Sequence, residues 1–173
     1  MNAMINTEWG SPNSIKNGFN IEDVKNGKYG SHITIYNWKE KASDKLWNFT
    51  VLKDKCHLSA SMVMLSRTFE YEIGLCCWLH GTIKQFDLTD PGNIKLVGSL
   101  FIGGILHSGT GVKVIEEGNY MELPDPLVVK DKLAEGGPQM LQLSLDGKRL
   151  YVTNSLYSHW DKQLFAGMKE EVQ

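Results

Sequence analysis

Charge of one sign is what this 173-residue chain has least of: 18 Lys and Arg stand against 20 Asp and Glu, a net charge of −2. With no basic excess and no local Lys/Arg cluster, the electrostatic footprint of a nucleic-acid partner is missing. Long apolar runs are missing too. The most apolar one, Leu100-Phe101-Ile102-Gly103-Gly104-Ile105-Leu106, falls far short of the ~18 residues that a membrane span takes. The opening residues carry Glu8 and several Asn, with no basic stretch leading into an apolar one. No secretory signal is read there, and the expected location is the cytoplasm. Cysteine is scarce. Cys56, Cys76 and Cys77 are odd in number and contain no C-x-x-C, which speaks against a disulfide framework or a zinc site and for buried reduced thiols.

Several catalytic signatures are absent as well. The five histidines form neither H-x-x-x-H nor H-E-x-x-H. Gly104 to Gly111 has the glycine spacing of a phosphate-binding loop but not its lysine, and no helical pattern follows. There is no G-x-S-x-G elbow, and the acidic residues fall mainly in turns rather than as a carboxylate pair.

What remains is alternation. Leu141, Leu143 and Leu145 alternate with Gln142 and Ser144, then Asp146-Gly147 offers positive φ and Leu150, Tyr151 and Val152 return. That pattern predicts a β-hairpin closed by a type I′ turn, entered from the helix-breaking Gly136-Gly137-Pro138. Thr82 to Leu88 and Ile94 to Leu100 predict two strands joined by the turn Thr89-Asp90-Pro91-Gly92-Asn93. Further strands are expected at 31–38, around Trp47, Phe49 and Val51, at 62–65, 69–73 and 112–115, and at 127–129. Residues 1–30 read as an irregular approach with closely spaced turns, and Ile21 to Val24 as one helical turn. Short strands with frequent turns, alternating apolar positions and few convincing helices predict an all-β fold.

Three blocks carry a resemblance. They are Thr7-Glu8-Trp9-Gly10-Ser11-Pro12-Asn13 to Tyr29-Gly30-Ser31-His32, Cys76-Cys77-Trp78-Leu79-His80-Gly81 to Gly103-Gly104, and Gly136 to Gln163. In this order they resemble the selenium-binding protein family, also described as methanethiol oxidase. The resemblance implies a partial β-propeller, about three blades' worth of a seven-bladed fold, not closed. Residues 1–38 and 76–165 are family-like, 39–75 are divergent in a single propeller region, and 166–173 are expected to be a frayed tail. The resemblance implies that an internal portion of the family's protein is absent or replaced in the interval after Trp38.

The same resemblance implies an oxidoreductase that oxidises methanethiol, a small thiol substrate, with oxygen at a histidine-bound copper. Carried across by position, His80 and His32 are the candidate copper ligands, since imidazole suits copper at a redox centre. Cys76 stands where the family has a cysteine, and Cys77 replaces its asparagine. Selenium at Cys76 or Cys77 would take an exposed thiolate of low pKa. The alternative is a non-catalytic selenium- or partner-binding propeller piece, with a role in cytosolic trafficking or redox sensing. An unclosed ring leaves strand edges unpaired, so self-association through them is expected.

Overall fold

Antiparallel pairing between neighbours in sequence builds every sheet among the described residues. In the computed structural model these are residues 3–7, 12–20, 22–23, 26, 28–29, 33–37, 48–52, 66–69, 72–90, 93–116, 119–120, 122–155, 158–165 and 167. The central unit is a four-stranded meander of β4 (Ser66–Phe69), β5 (Glu72–Cys77), β6 (Thr82–Asp87) and β7 (Lys95–Phe101). β6 is covered on both sides: Ile83 is buried on one face and Phe86 on the other. β7 is the outer edge and exposes Leu96, Val97 and Leu100. Between Gln85 and Phe86 the register against β7 shifts, with Gly98 opposite the first and Leu96 opposite the second, so Val97 is an extra residue. Such a bulge twists an edge strand and discourages indiscriminate pairing.

A hairpin of β12 (Leu141–Leu143) and β13 (Leu150–Val152) stacks on this sheet. Leu141 packs with Cys76 and Ile83, flanked by Ile102 and Val152. Gly74 makes the approach possible, since a Cβ there would lie 3.2 Å from Leu141 Cδ1. The connecting turn differs from the expected type I′. Gly147 has φ 69°, but Asp146 is not among the residues with positive φ. Its side chain is occupied instead: Asp146 Oδ1 accepts from Ser144 Oγ at 2.5 Å and from the Lys148 N–H at 3.1 Å. The result is a four-residue loop built around the Ser144–Gly147 turn, whose Gly147 N–H donates to Ser144 O. A two-residue turn with both φ values positive does occur, at Lys130 (51°) and Asp131 (62°). It joins β10 (Val128–Val129) to β11 (Lys132–Leu133), where no glycine marks it in the sequence.

The amino-terminal stretch is more ordered than its turn signals suggest. β1 (Ala3–Thr7) pairs with β2 (Ile33–Asn37), which pairs with β3 (Asn48–Leu52). The helix α1 (Pro12–Asn17) begins on a proline, whose fixed φ suits a first helical position. A second short helix, α2 (Ser158–Asp161), follows the stacked hairpin. The strand expected at 112–115 is displaced to β8 (Ile115–Glu116), paired with β9 (Asn119–Tyr120). The strand expected at 69–73 is split between β4 and β5, and the one at 62–65 lies outside the described residues. Among the described residues the molecule is mostly sheet, no sheet closes on itself, and no helix is long and apolar enough to cross a membrane.

Candidate functional site

The turn between β5 and β6 is Trp78-Leu79-His80-Gly81, and its neighbours fix it from every side. Gly81 N–H donates to Cys77 O at 2.9 Å, and Gly81 adopts φ 75°. A Cβ at Gly81 would lie 1.4 Å from Gly103 O, and one at Gly104 would lie 2.4 Å from Gly81 Cα. Glycine is required on both sides of this backbone crossing. Ile102 N–H donates to Gly81 O at 2.8 Å and Ile105 N–H to Leu79 O at 3.3 Å, tying the two loops together.

Trp78 and Leu79 are buried in a cluster with Phe19 and Tyr29, against which Ile105, Trp160 and Leu164 pack. The Phe19 and Trp78 rings meet edge-on at 5.2 Å, and the Trp78 and Trp160 centroids are 6.3 Å apart. Each such pair adds about 0.5–1.5 kcal/mol beyond area burial. Beneath them lies Asp161, at 0% exposure. Its Oδ1 accepts from Trp78 Nε1 at 2.9 Å, and its Oδ2 accepts from Ser155 Oγ. Gly137 leaves room for the indole, because a Cβ there would lie 2.1 Å from Trp78 Cδ1. One cluster thus gathers residues from all three sequence blocks.

The candidate residues fare differently. His80 is partly buried, in the turn that this packing holds. His32 lies outside the described residues, as do Cys56 and His57. Cys76 is fully buried, and burial pushes its thiol up to about 12. Cys77 is 2% exposed and disulfide-bonded, which departs from the expectation of reduced thiols throughout. Neither cysteine is the exposed, low-pKa thiolate that selenium chemistry would take. Among the described residues no group of three or more His, Cys, Asp or Glu is placed to hold a metal ion. His80 fits copper in kind but is a single donor among the described residues.

Asp161 and Ser155 are the residues that sequence reasoning passed over. Periodicity cannot flag a buried acid; the available signal was Trp160-Asp161 inside a block that already resembled a family.

The comparisons with known proteins agree with this gathering of blocks. The 56kDa selenium binding protein (SBP56) family matches residues 1–58 and 60–173. Methanethiol oxidase from Xenopus tropicalis is 36% identical over 228 residues, covering 98% of this chain and 48% of that protein. The Homo sapiens methanethiol oxidase is 34% identical over 230 residues, with the same 98% and 48% coverage. Selenium-binding protein 1 from Arabidopsis thaliana is 32% identical over 228 residues, covering 98% of this chain and 46% of that protein. A hypothetical selenium-binding protein from Sulfolobus tokodaii has a similar fold, with a TM-score of 0.55 at 20% identity, over 93% of this chain and 46% of that one. The chain spans about half the length of the curated relatives it matches. An aligned span of 228 positions exceeds the 173 residues present, so the relatives carry residues within it that are missing here. The two family matches meet at Ser59, inside the 39–75 interval. With a family match over nearly every residue and relatives above 30% identity along the whole chain, the protein belongs to the SBP56 selenium-binding protein family.

Proposed function

We infer that the chain carries part of a methanethiol oxidase centre on a partial β-propeller in the cytoplasm, with His80 and His32 as copper ligands. The observation that supports this most is the rigid presentation of His80. Its turn is held by the Trp78–Asp161 hydrogen bond, by Leu79 in the aromatic cluster and by the Gly81–Gly103–Gly104 backbone crossing. A metal ligand is best placed on elements whose geometry is fixed by such supports. Tyr29 lies in the same cluster as Leu79, and His32 follows it in the sequence with two residues between them. His80 and His32 would hold the copper, which would supply redox chemistry toward a thiol. The overall reaction converts methanethiol, oxygen and water to formaldehyde, hydrogen sulfide and hydrogen peroxide. The chain's own contribution is to orient the imidazole and to keep water from the layer beneath it, where Trp78, Leu79 and Asp161 are buried.

A second reading has its own support. With one described donor, a buried Cys76 and a bonded Cys77, the chain would serve as a non-catalytic selenium- or partner-binding piece. Copper quantification on purified protein, paired with oxygen uptake on methanethiol, separates the two. His80→Ala is expected to remove most of the bound copper, with affinity lowered at least about tenfold, and to leave the β-sheet signal intact. Unchanged copper with a lowered melting temperature would instead make His80 a packing residue and favour the second reading.

A further inference from the structure

The hydrogen bond from Trp78 Nε1 to Asp161 Oδ1, 2.9 Å long, joins an indole that is 4% exposed to a carboxylate that is not exposed at all. An indole nitrogen can only donate, so Oδ1 is the acceptor, and the Ser155 hydroxyl donates to the other oxygen. Donors on both oxygens favour the ionised carboxylate. A buried acid is nonetheless a costly way to fix an indole. A backbone carbonyl or a neutral amide would accept the same hydrogen bond without an ionisable group leaving water. What a carboxylate can do and those acceptors cannot is take the proton.

Trp78 is also placed among other rings and beside the candidate site. Its carbonyl accepts from the Gly81 N–H at 3.2 Å, within the turn that carries His80. Its ring lies 5.2 Å from Phe19 and 6.3 Å from Trp160, and Phe19 is 5.7 Å from Tyr29, centroid to centroid. Indole gives up an electron far more readily than phenyl does, so an electron lost from this layer comes from a tryptophan rather than from Phe19. Of the two tryptophans, Trp78 is the one bonded to Asp161.

We propose that Trp78 is a redox-active side chain, which gives one electron to a one-electron oxidant while its indole proton passes to Asp161. In that step the Nε1–H bond breaks, an O–H bond forms at Asp161 Oδ1, and the oxidant gains the electron. The products are a neutral indole radical and a neutral carboxylic acid, so both buried groups end uncharged, which a low-dielectric layer favours. Ser155 stays on the other oxygen and keeps the acid facing the indole. A thiolate can refill the radical: it loses one electron to become a thiyl radical, and Asp161 returns its proton to Nε1. The inference rests on the function proposed above only for its purpose. Converting methanethiol to formaldehyde and hydrogen sulfide withdraws two electrons, and a side chain that stores one beside His80 divides the withdrawal into single steps.

The test is flash photo-oxidation of the full chain by ruthenium tris-bipyridine with persulfate as quencher, with no thiol and no added metal. Transient absorption and freeze-quenched electron paramagnetic resonance read the product. A long-lived neutral indole radical is expected in the parent. Asp161→Asn keeps an oxygen for the indole but removes the base. With its β-sheet signal intact, this variant should lose at least about tenfold in the lifetime of that radical. Trp78→Phe should abolish the long-lived signal, and Trp160→Phe should retain it. A parent without a long-lived neutral radical would overturn the proposal, as would the same radical at the same lifetime in folded Asp161→Asn or Trp78→Phe. Since neither copper nor thiol takes part, the outcome is independent of whether His80 binds metal. A radical that depends on Asp161 in a protein that binds no copper would leave the redox pair standing and remove only its stated purpose.

Discussion

Removing the Asp161 carboxylate is the sharpest perturbation available to this fold. Asp161 has no exposure, and it joins two sequence blocks 83 residues apart through Trp78 Nε1 at 2.9 Å. Asp161→Ala strips the acceptor from both the indole N–H and the Ser155 hydroxyl. A buried donor without a partner costs about 1–3 kcal/mol, so the pair, with the lost side-chain packing, comes to roughly 3–5 kcal/mol. Asp161→Asn keeps an oxygen for Trp78 and presents an N–H to Ser155 Oγ, so it should lose only about 1–2 kcal/mol. Urea unfolding followed by tryptophan fluorescence reads both, since Trp78 and Trp160 lie in the same cluster. In thermal unfolding the alanine variant should melt about 6–20 °C lower, at ~2–4 °C per kcal/mol for a chain of this size. A double-mutant cycle with Trp78→Phe should give a coupling of about 1–3 kcal/mol. Asp161→Ala within ~1 kcal/mol of the parent, or a cycle with no coupling, would refute the assignment of Asp161 as the tie between the blocks.

Two further outcomes follow from the titrating groups. Cys76, with its thiol raised to about 12 by burial, should resist alkylation in the native protein at mildly alkaline pH and react on unfolding. Rapid native labelling, located by peptide mass, would contradict its burial. Asp146 is held below the ordinary carboxylate value of 3.8, first by the Ser144 hydroxyl, then by the Lys148 N–H and Arg149. A lowered folded-state pKa stabilises above the unfolded value, and that contribution disappears as pH falls through the folded one. The stability gap between parent and Asp146→Asn should therefore be constant above pH 3.8 and close below it; a gap that widens on acidification would reverse the sign.

Strands announced themselves in the sequence where apolar positions to be packed are bounded by turn residues. Thr82 to Leu88 alternates because Ile83 meets Leu141 on one side and Phe86 is buried on the other, and the returning strand to Leu100 follows from the turn chemistry before it. Residues 1–30 misled because turn residues are local signals, whereas β1 exists through pairing with β2 some thirty residues later. The Lys130-Asp131 turn was invisible for a related reason: no glycine marks it, and lysine rarely takes positive φ, so the flanking strands impose it. Asp146-Gly147 erred the other way, since the aspartate side chain found better use bonding Ser144 and Lys148 than entering the left-handed region. His80 was legible only through its motif, and its support by Asp161 through Trp78 needed three dimensions.

The crossing of Gly81 over Gly103 and Gly104 has a mechanical consequence. Two main chains touch there with no side chain between them, so nothing at the contact can change rotamer to absorb a displacement. The loop running from β7 toward Ser108 and the turn carrying His80 must move as one piece or not at all. An antibody fragment or a crosslink fastened to the outer loop should thus register at the imidazole, as a lever does through a rigid joint. Random mutagenesis should find these three positions nearly intolerant, while the surface around them accepts change freely.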